Sequence, residues 1–131
     1  MPDRFDPATA RLLNELFTRR VNAWLAADLD AYMACWHDDM VIELPSGTIE
    51  GAPTYRQLVS SGFAWAEPVS FTVHHLAFET AENVALSDWT IRACRRSDQT
   101  LMEWRGLSVC RFDGDKIAWW REHHLQPPSP V

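Results

Sequence analysis

Lysine is nearly missing from this chain: Lys116 is the only one. Acidic residues outnumber basic ones, 18 to 12, for a formal net charge of −6. A nucleic-acid surface needs clustered Lys and Arg against phosphate, so that class of partner is excluded. The two short basic spots, Arg19-Arg20 and Arg95-Arg96, do not change this, and the second reads as a hairpin tip. Long apolar runs are lacking too. No segment reads as a membrane span, and Met1-Pro2-Asp3-Arg4-Phe5-Asp6 lacks the pattern of a signal peptide. The expectation is a cytoplasmic protein with no membrane partner. Cysteine is scarce and odd in number. Cys35, Cys94 and Cys110 form no C-x-x-C pair, which argues against a disulfide frame and for small buried hydrophobes. H-x-H and H-E-x-x-H spacings are absent, so neither a metal nor another cofactor is expected. Repeats and linkers are absent as well, and 131 residues make one domain with a genuine core.

Tryptophan is present in excess, with seven residues. Indoles rarely fit wholly inside a small core, so several are expected to line a cavity or a subunit contact.

Residues 1–8 show no period and read as a loose arm. From Thr9, a plausible N-cap, Leu13, Leu16, Phe17, Val21, Trp24 and Leu25 fall at helical steps of three and four. Asp28 then reads as the N-cap of a second helix carrying Leu29, Tyr32, Met33 and Trp36. His37-Asp38-Asp39 breaks that pattern, Met40 to Leu44 alternates as a short strand, and Pro45-Ser46-Gly47 turns it. Pro53 opens a third helix whose buried side is Tyr55, Leu58, Val59, Gly62 and Phe63. Four strands follow, over 69–79, 83–95, 101–113 and 116–125, joined by links short enough to make neighbours antiparallel. Gln126 to Val131 reads as a Pro-rich tail that cannot continue a ladder. The plan is α+β, with helices packed on one sheet face and the domain spanning 9–126.

The last strand, K-I-A-W-W-R-E-H-H-L, concentrates the chemistry. Alternation puts Ala118, Trp120, Glu122 and His124 on one face and Ile117, Trp119, Arg121, His123 and Leu125 on the other. A carboxylate and an imidazole beside an indole suit a pocket floor. A carboxylate partly stripped of water there suits general acid or base work; the competing reading is a structural ion pair. His124 stands two residues from Glu122 and either shares its proton or closes the mouth of the pocket. Trp104, Gly106, Ser108 and Cys110 alternate on the same pocket face, with Gly106 leaving room for a ligand ring. Tyr32, Met33, Trp36, Phe63 and Trp65 offer the opposite wall. Of the adjacent His74 and His75, the strand phase turns His74 inward. Trp89, Ile91, Leu107, Val109 and Trp119 fall on the outward phase, an apolar patch expected to pair with a second copy of the chain.

The runs D-L-D-A-Y-M-A-C-W-H-D-D-M-V-I-E-L-P-S-G-T-I-E-G and D-G-D-K-I-A-W-W-R-E-H-H resemble the SnoaL-like and nuclear-transport-factor-2-like superfamily. The resemblance in element order covers roughly 9–126. It implies a cone-shaped α+β domain, three N-terminal helices on a curved, mainly antiparallel sheet around a pocket, with the outer sheet face forming a homodimer. Its members include polyketide cyclase, ketosteroid isomerase and limonene epoxide hydrolase relatives, and also non-catalytic binding domains. Glu122, in W-R-E, stands where the epoxide-hydrolase branch has the aspartate of W-R-D. The Arg-x-Asp pair of that branch maps onto Asp88 and Thr90, so its arginine is missing. Glu43 matches a polar position that holds water in that branch, with Val41 in place of the tyrosine beside it. Its competing reading is a solvated Glu at a strand end. Leu44 stands where isomerase relatives have a general-base Asp, so that mechanism is not supported.

These readings converge on a cofactor-independent enzyme acting on an apolar or aromatic ring compound. Glu122 acts there with His124 or Asp88, and Glu43, Trp120, Trp104, Trp36, Tyr32, His74 and Thr90 contact the substrate. The alternative is a non-catalytic ligand-binding or dimerisation domain of the same fold.

Overall fold

The computed structural model describes residues 7–79 and 81–131. In chain order it holds α1 (Pro7–Leu25), α2 (Leu29–Met33), β1 (Trp36–Leu44), β2 (Gly47–Glu50), α3 (Ala52–Trp65), β3 (Ala66–Glu79), β4 (Val84–Arg95), β5 (Thr100–Asp113) and β6 (Lys116–Pro130). The strands form one curved sheet in the order β2-β1-β6-β5-β4-β3. All neighbours are antiparallel except β1 and β6, which run parallel. The β1–β6 crossover is what α3 and the β3–β5 meander provide. The expected α+β class holds.

Helix α1 lies on the concave side of the sheet. Leu13, Leu16 and Phe17 are buried against Ile42, Phe112 and Ile117 of β1, β5 and β6. Each fully buried Leu contributes roughly 1.5–3 kcal/mol. The helix stops after Leu25, where Ala27 turns into the left-handed region with φ 51°. Asp28 caps α2, its carboxylate accepting from the Ala31 N–H at 3.1 Å. Pro53 sits in the first turn of α3. That helix buries only Tyr55 and leaves Leu58 and Trp65 more than two-fifths exposed, so it rests on the sheet as a loose roof.

Several expectations need correction. Of the expected N-terminal arm, residues 1–6 lie outside the described residues, while Pro7 and Ala8 belong to α1. Trp36 opens β1 rather than closing the second helix, and the ladder shifts register between Trp36 and Val41, across the polar run His37-Asp38-Asp39. Beyond Leu125 the chain stays paired: Gln126 lies opposite Arg105, Ser129 opposite Glu103 and Pro130 opposite Met102. Proline is accommodated there because β1 pairs with β6 only as far as Arg121, so the later residues have a free margin. Near its start β6 carries a second irregularity: Phe112 pairs with Ile117 but Arg111 with Trp119. Ala118 is the extra residue, and both Ile117 and Trp120 therefore point into the core.

The largest correction concerns β4. Ala85, Ser87, Trp89, Ile91 and Ala93 are its buried residues. Trp89 and Ile91 therefore face inward, and Asp88 and Thr90 face outward, the reverse of the expected phase.

Candidate active site

The concave side of the sheet and the helices enclose a cavity of about 250 Å³. Its walls are mostly rings: Trp24, Tyr32, Trp36, Tyr55, Phe71, Trp89, Trp104 and Trp120. Among the described residues two charged ones reach it, Arg20 from α1 and Glu122 from β6. The indole and phenol rings pack edge to face, with Trp36 to Tyr55 at 4.9 Å, Trp36 to Trp120 at 5.7 Å and Trp24 to Phe71 at 5.6 Å between centroids. Of the seven tryptophans only Trp119 and Trp65 are absent from this lining, and Trp65 borders an adjoining chamber.

Glu122 is held from two sides. Trp120 Nε1 donates to its Oε1 at 3.0 Å, and His124 Nε2 stands 2.9 Å from its Oε2. The side chains are 16% exposed for Glu122 and 22% for His124, so the pair sits at the mouth of the cavity rather than on open surface. His124 packs its ring edge against Trp89 at 6.0 Å, which fixes the imidazole. Behind them the sheet lays a short polar row, since Ser87 pairs with Ser108 and Ser108 with Glu122. Ser108 Oγ accepts from Trp89 Nε1 at 2.7 Å. A buried indole N–H without an acceptor costs about 1–3 kcal/mol, and this serine removes that cost.

Tyr32 and Tyr55 bring their hydroxyl oxygens to 2.8 Å. Burial raises the pKa of both phenols, well above the ordinary value for Tyr55, where the neighbouring Tyr32 adds to the rise. Both hydroxyls therefore stay protonated donors at neutral pH. Cys110, buried under the same sheet face, has its thiol pushed up to about 12 by burial, which removes it as a nucleophile at neutral pH.

Arg20 was not among the residues expected here. It is 3% exposed, and its guanidinium carbon lies 4.6 Å from the Trp120 ring, 5.0 Å from Phe71 and 5.1 Å from Phe17. Cation–π contacts of about 0.5–2 kcal/mol each offset part of the cost of burying the charge. Its Nε and Nη2 have no acceptor among the described residues, at a cost of about 1–3 kcal/mol per unmet donor. The signal was in the sequence: positions 13, 16, 17, 20 and 24 form one helical stripe, and only position 20 is charged.

The expected site residues divide accordingly. Glu122, Trp120, Trp104, Trp36 and Tyr32 line the cavity, and His124 joins them through Glu122. Asp88, Thr90, His74 and Glu43 do not. Asp88 faces the outer side, where His75 Nδ1 lies 2.9 Å from both its oxygens and holds its pKa below the usual carboxylate value. Thr90 pairs with His74 at 2.8 Å; His74 is the unmatched residue of a bulge between Val73 and His75, so alternation fails at that point. Glu43 alternates outward from Ile42 and accepts from Trp119 Nε1 at 2.8 Å, with Arg121 Nη2 at 3.2 Å. With Asp88 and Glu43 both turned outward, Glu122 is the one carboxylate in the cavity lining among the described residues. Gly106 does make room for a ring, but the ring is the protein's own: a methyl group added there would meet Trp89 Cζ2 at 2.5 Å.

The model of the SnoaL-like domain matches residues 17–120, most of the chain. The chain belongs to the SnoaL-like family. No functionally curated protein matches it. Among solved structures, a provisionally named isomerase from Bacillus subtilis is similar with a TM-score of 0.81 at 15% identity, over 88% of each chain. An epoxide hydrolase of limonene-hydrolase type (LEH-like) from M. tuberculosis follows at 0.75 and 18% identity, over 90% of this chain and 85% of that one. A protein with a ketosteroid isomerase-like fold from Catenulispora acidiphila, bound to trimethylamine, is similar at 0.72 and 16% identity, over 83% of this SnoaL-like chain and 84% of that one. At such identities these likenesses show the nuclear-transport-factor-2-like cone fold, and chemistry must be argued from the site.

Proposed function

We propose that this SnoaL-like protein is a cofactor-independent enzyme that moves a proton to or from an apolar ring substrate held in the aromatic cavity. The observation that carries the reading is Glu122, a mostly buried carboxylate on the cavity wall fixed by Trp120 and His124. Trp36, Trp104, Trp120 and Tyr32 bind the ring. Glu122 takes or returns the proton, and the imidazole holds the carboxylate in place and shares its charge. Cyclisation, isomerisation, dehydration and hydrolysis all pass through such a transfer. The isomerase and epoxide-hydrolase names of two similar structures support that class. Three free cysteines support a reducing, cytoplasmic setting.

A second copy of the chain is the proposed partner of the outer sheet face. With Trp89 and Ile91 turned inward, the patch is smaller than the sequence implied. Leu86 and Leu107 still stand about half exposed on adjacent central strands, and one two-fold contact covers both.

The test uses 2-tetralone, a two-ring ketone with exchangeable α-protons, in D₂O, with exchange followed by NMR. Wild-type protein is expected to speed exchange, and Glu122→Gln to lower that rate by about 10²–10⁴-fold while thermal-shift binding persists. Binding without exchange in the wild type, or equal exchange in both, gives a ligand-binding domain instead.

A further inference from the structure

The cavity adjoins a second chamber of about 210 Å³ beneath α3, and the two share Trp24, Tyr32, Tyr55, Val59 and Trp104 as walls. The second chamber ends on Phe63, Trp65, Ala66 and Ala93 and carries no charged residue among the described ones. Both charged groups, Arg20 and Glu122, belong to the first. A molecule filling both chambers therefore has a polar end and a hydrocarbon end.

Donors exceed acceptors at the polar end. Both oxygens of Glu122 are already engaged, by Trp120 and His124. Arg20 Nε, Arg20 Nη2 and Trp36 Nε1 are buried without an acceptor among the described residues. Tyr32 and Tyr55 carry two hydroxyl protons and share one hydrogen bond, which leaves an O–H to give. The Tyr32 hydroxyl bonds the Arg20 side chain, but the rings around Arg20 lack the in-plane lone pairs that the rest of its guanidinium fork is shaped to meet. A ligand bringing more donors would leave all of these unmet. One bringing an anionic oxygen supplies the kind of partner they lack.

We infer that Arg20 anchors an anionic oxygen, so that the ligand is an apolar ring compound with a carboxylate or enolate at one end and its hydrocarbon body beneath α3. The inference rests on the cavity being the working site proposed above. Arg20 then sets polarity and orientation, and Glu122 meets a carbon held between the anchored oxygen and the apolar chamber.

The probes are 2-naphthoate and its neutral isostere 2-naphthamide, titrated against tryptophan fluorescence. Wild-type protein is expected to bind naphthoate at least tenfold more tightly. Arg20→Met should abolish that preference, Arg20→Lys keep part of it, and Glu122→Gln keep or enlarge it. The two sources of anionic oxygen separate with 2-tetralone. A fall in kcat for exchange in Arg20→Met at unchanged KM marks an enolate formed during turnover. Unchanged exchange with lost naphthoate preference marks a carboxylate. Equal affinity for naphthoate and naphthamide in the wild type, or a preference undiminished in Arg20→Met, overturns the inference. Should Arg20→Met not fold, the Arg20 ¹⁵Nε–H resonance of the wild type decides: movement with naphthoate alone supports the anchor, and no movement with either probe overturns it. Loss of exchange in Glu122→Gln without any naphthoate preference would leave the proposed function standing and remove only this anchor. The reverse pattern would do the opposite.

Discussion

Tyr32 and Tyr55 are the only tyrosines in the chain, so a spectrophotometric titration near 295 nm reads this hydroxyl pair and nothing else. Burial raises both phenol pKa values above the unfolded value near 10. Above that pH the unfolded chain loses phenolic protons that the folded one keeps, so stability is full below about pH 10 and falls as pH rises beyond it. The expected result is a flat absorbance through pH 10, then a steep phenolate signal that coincides with loss of circular dichroism. A smooth single-proton titration near pH 10 in folded protein would show the pair to be open to water. At this scale the sequence was informative where alternation ran undisturbed. Trp120, Glu122 and His124 lie between the bulge at Ala118 and the register shifts that begin past His124, and point as alternation says. A charge in a helix ordinarily reads as solvated, and only the place of Arg20 within an apolar stripe says otherwise.

Among the elements, helices were easier to read than strand faces. A helix advertises its buried side over several turns, whereas a strand face inverts with a single extra residue. Ala118 and His74 are such residues. In β4 both phases carry plausible candidates, and the inward one is chosen by packing: Ala85, Ser87 and Ala93 are small, and Trp89 finds its place over Gly106. That contact makes a prediction. Gly106→Ala would press a methyl group against Trp89 and the His123 carbonyl oxygen, 2.7 Å away, and should destabilise the fold by about 1–3 kcal/mol. A lowered denaturation midpoint at unchanged m-value checks it, and an unchanged midpoint would mean that the indole moves aside freely.

For the whole molecule, family and cone were legible from the order of elements, while the cavity's charge balance was not, because it depends on which strands stand opposite α1. Sedimentation at micromolar concentration should give twice the chain mass, and Leu107→Glu should shift it to the monomer by placing a charge at the centre of the outer face. A wild-type monomer would end that proposal. A single copy has one more surface to protect. Past Arg121 the margin of β6 has no strand beside it among the described residues, yet Pro127, Pro128 and Pro130 withhold the N–H groups that an incoming strand would need. β3, at the sheet's far edge, is interrupted twice in register and carries Pro68. Runaway strand-to-strand polymerisation is thus disfavoured at both places.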